Sequence, residues 1–278
     1  YFCIFLLLNL IMYIYCITHK KLDFIENLGL IPSGVGQNEY PHNYIDEKKG
    51  ENISHKNYNY GEITFHYWLW KNRLKNHLNN DWFGICHYRR FFLNQKINYK
   101  INNINNLKPL LALQPNNEWK NYDVILCEPI SLKNLKKIKL IKKVFRSLLK
   151  DPTILFDDNK HTIKLHFEMF HGHDNLDKAI SKLPTEDKKD FENYVNTRTS
   201  FSPNCMYLSN NPVIVSKFYE SLFSWLTNCE DIFGFSKTSD YGTKRLYTFL
   251  TERYLPFWFE KYSRVSYAPW LFLDSTES

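Results

Sequence analysis

Apolar residues in this chain fall into short runs that switch between strand-like and helical spacing. The run MYIYCIT at residues 12–18 is β-branched and aromatic and opens onto His19-Lys20-Lys21, which predicts a first buried strand ending in a loop. WFGIC at 82–86 and DVILC at 123–127 predict two more, and 202–209 a late one. Between them, residues 62–76 place Ile63, Tyr67, Trp70 and Leu74 at helical spacing. Residues 132–150 set Leu135, Ile138, Ile141, Phe145 and Leu148 on one helical stripe. Within 161–180, Asp174 is placed to cap a helix beginning near Asn175. A further helix is expected over 214–228 after Pro212, and a last one over 241–261 that must bend or end before Pro256. Strands alternating with helices predict an α/β fold.

The first 17 residues are almost wholly apolar, yet no basic segment precedes them and Asn9 interrupts them. The run is short for a bilayer span, which needs about 20 residues. The domain is therefore expected to occupy residues 12–275, starting near Met12, with 1–11 an apolar extension or the remnant of an anchor.

Composition narrows the partners. The 278 residues carry a net charge of +7 and are 17% aromatic, which favours anionic ligands and clefts that stack flat or ring-shaped ones. Cys3, Cys16, Cys86, Cys127, Cys205 and Cys229 are scattered with no C-x-x-C pair. Buried free thiols in a reducing compartment fit that pattern, and a zinc site built on cysteine does not. The stretch 132–150 holds eight basic residues and no acidic one. It reads either as a solvated helix or as a basic amphipathic helix lying on an anionic membrane surface.

The most informative segment is DWFGICHYRRFF at 81–92. A buried strand there delivers His87, Tyr88, Arg89 and Arg90 at its carboxyl end, where open α/β sheets bind ligands. Arginine grips phosphate with paired, charge-assisted hydrogen bonds. Because neighbouring strand residues point to opposite faces, at most one arginine is expected to reach the ligand, the other being structural.

Several segments, in order, carry a resemblance: IYCITHKK, ENISHKNYNYGEITFHYWLWKN, FGICHYRRFF, FHGHDNLDKAI, NCMYLS and RLYTFLTERYLPFWF. With them the chain resembles the bacterial polysaccharide-biosynthesis family catalogued as domain of unknown function 4422, whose members are usually regarded as glycosyltransferases. Thr248 stands where that pattern has glycine, and Cys205 breaks an expected N-M-F-I order. The resemblance implies a single GT-A-like (Rossmann-like) domain, a mixed sheet flanked by helices, and a nucleotide-sugar donor, with a UDP-sugar the first choice and a hexosyl or galactofuranosyl group transferred. It also implies a glycan or lipid-linked oligosaccharide acceptor in surface-polysaccharide (capsule) assembly. A cytoplasmic enzyme, peripheral on the inner face of the membrane, would follow.

Many GT-A enzymes hold a divalent metal on the donor diphosphate with an Asp-x-Asp motif, and no such motif occurs here. Arg89 and Arg90 occupy the corresponding place, so transfer is expected to need little or no metal. Donor contacts are expected from Thr18, His19, Lys20, Asn52, Ser54, Asn57, Lys71, His87 and Tyr88. Tyr67 and Trp70 read as core packing. Inverting transfer to a hydroxyl needs a base, for which Asp174 and Glu252 are the candidates. His171, His173, Asn204 and Arg245 are candidates for the acceptor. His166, His171, His173 and Asp174 have a spacing that also permits a metal site. The competing functions are a sugar-phosphate transferase and a noncatalytic carbohydrate-binding protein. Nucleic-acid binding ranks last, because the basic residues concentrate in one amphipathic segment and no nucleic-acid motif is present.

Overall fold

The computed structural model describes residues 12–77, 81–99, 101, 103–133, 137–235 and 240–273. The expected apolar extension, residues 1–11, lies outside them. Eleven strands occur among the described residues: β1 (Met12–Thr18), β2 (Ile31–Gly34), β3 (Ile45–Asp46), β4 (Trp82–His87), β5 (Arg90–Phe92), β6 (Val124–Cys127), β7 (Ile130–Ser131), β8 (Ser200–Phe201), β9 (Tyr207–Ser209), β10 (Val265–Ala268) and β11 (Trp270–Phe272). The helices are α1 (Phe24–Asn27), α2 (Asn57–Tyr60), α3 (Ile63–Asn72), α4 (Lys137–Lys143), α5 (Phe145–Lys150), α6 (Ile163–His171), α7 (Asn175–Ile180), α8 (Thr185–Thr197), α9 (Pro212–Phe233), α10 (Tyr241–Lys244) and α11 (Leu246–Tyr262).

The main sheet runs β10-β6-β9-β4-β1-β2-β3, with β5 paired to β4 and β11 to β5. β1 lies parallel to both β2 and β4, whereas β9 is antiparallel to β4 and β6. The reversal of β9 decides which residues meet at one edge. The chain leading into β9 arrives at the same edge as the carboxyl ends of β1, β4 and β6, so Asn204 meets His87 there.

Strand periodicity sorts the side chains into two cores. Tyr15, Ile17, Phe83, Ile85, Val124, Leu126 and Tyr207 pack under helices on one face. Ile14, Cys16, Trp82, Cys86, Ile125, Cys127 and Leu208 fill the other. This is the alternation a pleated strand imposes, and each fully buried large apolar side chain contributes roughly 1.5–3 kcal/mol. Gly84 sits where β4 and β9 pass closely: an added Cβ would lie 2.2 Å from the Tyr207 carbonyl oxygen. The five described cysteines are buried and free.

Four local expectations need correction. Residues 132–150 do not form one helix with a single apolar stripe. Two short helices, α4 and α5, meet at Val144, and the buried face is Leu140, Val144 and Leu148, packed on Ile154, Leu165 and Met169. Ile141 and Phe145 point outward, and the side chains of Leu135 and Ile138 lie outside the described residues. Asp174 begins α7 but does not cap it with its side chain; its backbone is left-handed, at φ 61°. The predicted strand 202–209 shrinks to Tyr207–Ser209. The helix after it starts at Pro212 itself, where the missing N–H costs nothing, and Asn211 caps it through Oδ1 to the Ile214 N–H. Finally, α11 does not end before Pro256 but continues through it to Tyr262. The buried side chains of Tyr254, Leu255, Phe257, Trp258 and Phe259 hold the helix against the loss of one backbone hydrogen bond.

Candidate active site

β4 stops at His87, and a two-residue turn, Tyr88-Arg89, returns the chain as β5, with His87 paired opposite Arg90. Tyr88 N–H still donates to the Ile17 carbonyl, which ties the turn to the end of β1. The turn removes the strand alternation at the point where it would have separated the two arginines. Both therefore face one cavity of about 470 Å³ at the carboxyl edge of the sheet. The expectation that at most one would reach the ligand space is corrected by this hairpin.

Thr18, His19, Asn57, His87, Tyr88, Asn204, Arg245 and Glu252 line the same cavity. The lining gathers three arginines and two glutamates, Glu62 and Glu252. Burial and the neighbouring Lys20, Arg245 and Arg89 charges lower the His19 pKa, so that ring is neutral near pH 7. The pKa of His87 is lowered by burial as well, and its Nε2 lies 2.7 Å from the Asn204 carbonyl oxygen. A carbonyl only accepts, so Nε2 carries the proton and the ring is the neutral Nε2–H tautomer.

Glu252 is fixed from two sides. Its Oε1 accepts from the Asn204 backbone N–H at 2.9 Å, and its Oε2 is paired with Arg253. Arg253 is only 1% exposed, reaches His166 Nδ1 at 3.1 Å and lies against the Phe201 ring. Asn204 and Cys205 both hold left-handed backbone, at φ 79° and 50°. Two consecutive non-glycine residues in that region cost energy, and such strain concentrates at functional sites. Arg245 is set by its Nη1 bond to the Asn57 carbonyl at 2.7 Å. Gly61, at φ 57°, makes room for it: a Cβ there would come within 2.7 Å of both Arg245 Nη1 and Thr248 Oγ1.

Several other sequence candidates sit elsewhere, and Thr18, though on the cavity wall, is engaged with the backbone. Thr18 uses its hydroxyl on the Lys20 backbone, donating to the carbonyl and accepting from the N–H, and exposed Lys20 does not line the cavity. Asn52 and Ser54 bond to each other. Lys71 lies over the Trp70 ring, 3.7 Å from its centre, while Trp70 stacks on Phe223 as core. His171 is buried behind the cavity wall, stacked 3.8 Å from Phe249, and burial pushes its pKa down to about 2. His173 and Asp174 belong to a different surface. There His173 Nδ1 meets Glu168 Oε2 at 3.1 Å and its Nε2 meets Asp174 Oδ1 at 3.3 Å. Among the described residues, Glu168, His173 and Asp174 are the group able to share a metal, and they lie apart from the arginine-lined cavity. His166 and His171 are not part of that group.

Sequence reasoning missed Tyr241, Thr248 and Phe249 in the cavity wall. Thr248, the departure from the expected glycine, donates to the Tyr60 carbonyl at 2.7 Å and so joins α11 to α2. A helical register carried back from Glu252 would have flagged Thr248 and Phe249 together with Arg245 on one face.

This arrangement, an arginine-lined cleft at the carboxyl edge of the sheet, defines a mixed α/β domain with its sheet flanked by helices. The chain belongs to the family described as Domain of unknown function (DUF4422), which it matches over residues 13–263. No curated protein matches it. Among solved structures, the apo form of WbbM, a bifunctional glycosyltransferase, is similar in fold, with a TM-score of 0.67 and 18% identity. The match covers 95% of this chain and 45% of that one, so the chain spans less than half the length of that neighbour.

Proposed function

We propose that this protein is a glycosyltransferase that moves a sugar from a nucleotide-sugar donor to a hydroxyl of a glycan or lipid-linked acceptor. The observation that carries the reading is the convergence of Arg89, Arg90 and Arg245 on one cleft that also holds the fixed carboxylate of Glu252. The family membership and the glycosyltransferase-like fold support it. Surface-polysaccharide assembly is the setting the reading implies.

In the proposed reaction the bond between the sugar anomeric carbon and the diphosphate oxygen breaks, and the diphosphate leaves with that electron pair. Arg89 and Arg90 stabilise the charge that develops on it, through charge-assisted hydrogen bonds from a partly buried site. His19 and Tyr88, which meet edge to face at the end of β1, flank the nucleotide. For an inverting displacement, Glu252 accepts the acceptor hydroxyl proton as the new carbon–oxygen bond forms. Arg253 and the Asn204 N–H hold that carboxylate in place.

The test is incubation with UDP-, GDP-, CMP- and dTDP-linked sugars in EDTA, reading nucleotide release and transfer. The expected result is consumption of one donor class without added metal, cut about 10²–10³-fold by Arg89→Ala or Arg90→Ala. Near-normal turnover in both variants, or a strict Mn²⁺ requirement, would overturn the role given to the arginines. Binding of glycans with no donor consumed would favour the noncatalytic reading.

A further inference from the structure

We infer that the exposed face of α4 and α5 is a docking surface for an anionic lipid bilayer, and that it brings the cavity mouth to a lipid-linked acceptor. The second half of this inference rests on the glycosyltransferase reading; the first half does not.

Although α4 and α5 are separate helices, helical spacing continues across their junction. Val144 N–H bonds the Leu140 carbonyl at 2.9 Å, and Leu148 N–H bonds the Val144 carbonyl at 3.0 Å. Leu140, Val144 and Leu148 are thereby committed to the core. The residues one position further on, Ile141, Phe145 and Leu149, form a second apolar row that meets water, exposed by 49, 59 and 69%. These three recur at every fourth position beside the buried row, on either side of the break at Val144 (φ −122°, ψ 34°). Around it Lys142, Lys143, Arg146 and Lys150 are also exposed, and no acidic residue occurs in 132–150. Asp151, the first acid after the segment, is matched by Lys160 at 2.5 Å.

An apolar ridge in a ring of cations fits a surface with an acyl interior and anionic headgroups. Its place in the fold gives it a use. α4 packs on α6, and α6 touches α10 closely enough that a Cβ on Gly242 would lie 1.9 Å from the Phe170 carbonyl oxygen. Tyr241, on that helix, is 66% exposed and lines the cavity. Among the described residues no helix is long and apolar enough to cross a membrane, so contact through this ridge would be interfacial.

The experiment is sedimentation of the full chain with vesicles of phosphatidylcholine alone or with 30% phosphatidylglycerol. A triple variant, Ile141→Gln, Phe145→Gln and Leu149→Gln, changes only water-exposed side chains. Binding of UDP, GDP, CMP and dTDP by the same samples serves as the control for the site. We expect binding to the anionic vesicles only, weakened by high salt, and at least tenfold weaker in the triple variant with nucleotide binding unchanged. Equal partition onto both vesicle types, or an unaltered triple variant, would overturn the inference. So would a chain dimer abolished by the triple variant, because the ridge would then cover a second copy. No binding of UDP, GDP, CMP or dTDP in any sample, with vesicle binding intact, would count against the glycosyltransferase reading and the lipid-linked acceptor, but not against the docking surface.

Discussion

Removing the Glu252 carboxylate should destabilise the fold by about 1 kcal/mol more than removing Arg253 together with it. Arg253 is 1% exposed, whereas the Glu252 side chain is 17% exposed and faces the cavity. The desolvation cost of the pair therefore falls mainly on the guanidinium. Glu252→Ala strands that charge beside His166, which burial and Arg253 itself push down to a pKa of about 3, so the imidazole offers only a lone pair. Stranding one member of a buried pair costs about 3–5 kcal/mol, and the open cavity side places this case near 3. Arg253→Met instead leaves a carboxylate that keeps its Asn204 N–H bond and reaches water, at a cost of about 1 kcal/mol. The double variant should cost about 2 kcal/mol, giving a coupling near 2 kcal/mol. Urea unfolding of the four proteins at pH 7 measures it. Effects that add to within about 0.5 kcal/mol would refute the claim that Arg253 depends on Glu252.

Stability should also fall steeply in mild acid. Burial holds His66 and His166 at a pKa of about 3 and His171 at about 2, against about 6.5 in the unfolded chain. The unfolded chain then binds more protons, so stability is full above about pH 6.5 and is lost as pH falls toward 3, at up to about 4 kcal/mol per unit. His166→Gln should remove about a third of that slope, and a flat profile from pH 6.5 to 4 would contradict it. Gly61→Ala should cost about 1–3 kcal/mol from its positive φ and also displace Arg245, lowering both the melting temperature and UDP affinity; unchanged values would refute this. Asp174→Asn should keep turnover within a few-fold while Glu252→Gln loses about 10²–10⁴. The reverse ranking would return the base to the Glu168–Asp174 surface.

Much of the architecture was legible because strand alternation is local. Met12–Thr18, Trp82–His87 and Val124–Cys127 all read correctly from their apolar runs. The carboxyl-edge placement of HYRR followed from the same rule. The hairpin at Tyr88-Arg89 did not, since no glycine or asparagine marks that turn; it is held by β11 pairing to β5 from the far end of the chain. Pro256 misled for a similar reason, because tertiary burial outweighed a local helix breaker. Asp174 read as a candidate base and His173 as an acceptor contact beside His171, but the positive-φ backbone at Gly172 and Asp174 leads to another surface. In 132–150 the basic, apolar pattern was visible, yet which of two adjacent apolar rows is buried depends on Leu165 and Met169 of α6.

The central claim is that guanidinium groups at the carboxyl edge of the sheet hold the leaving diphosphate. Calorimetric titration of UDP into the protein and its Arg90→Ala variant, both in EDTA, tests it most directly. The account predicts binding without a divalent cation and a loss of about 10- to 100-fold in affinity on substitution, the worth of one charged hydrogen-bonded contact. Equal affinity in the two proteins, or binding that appears only with Mn²⁺, would contradict it.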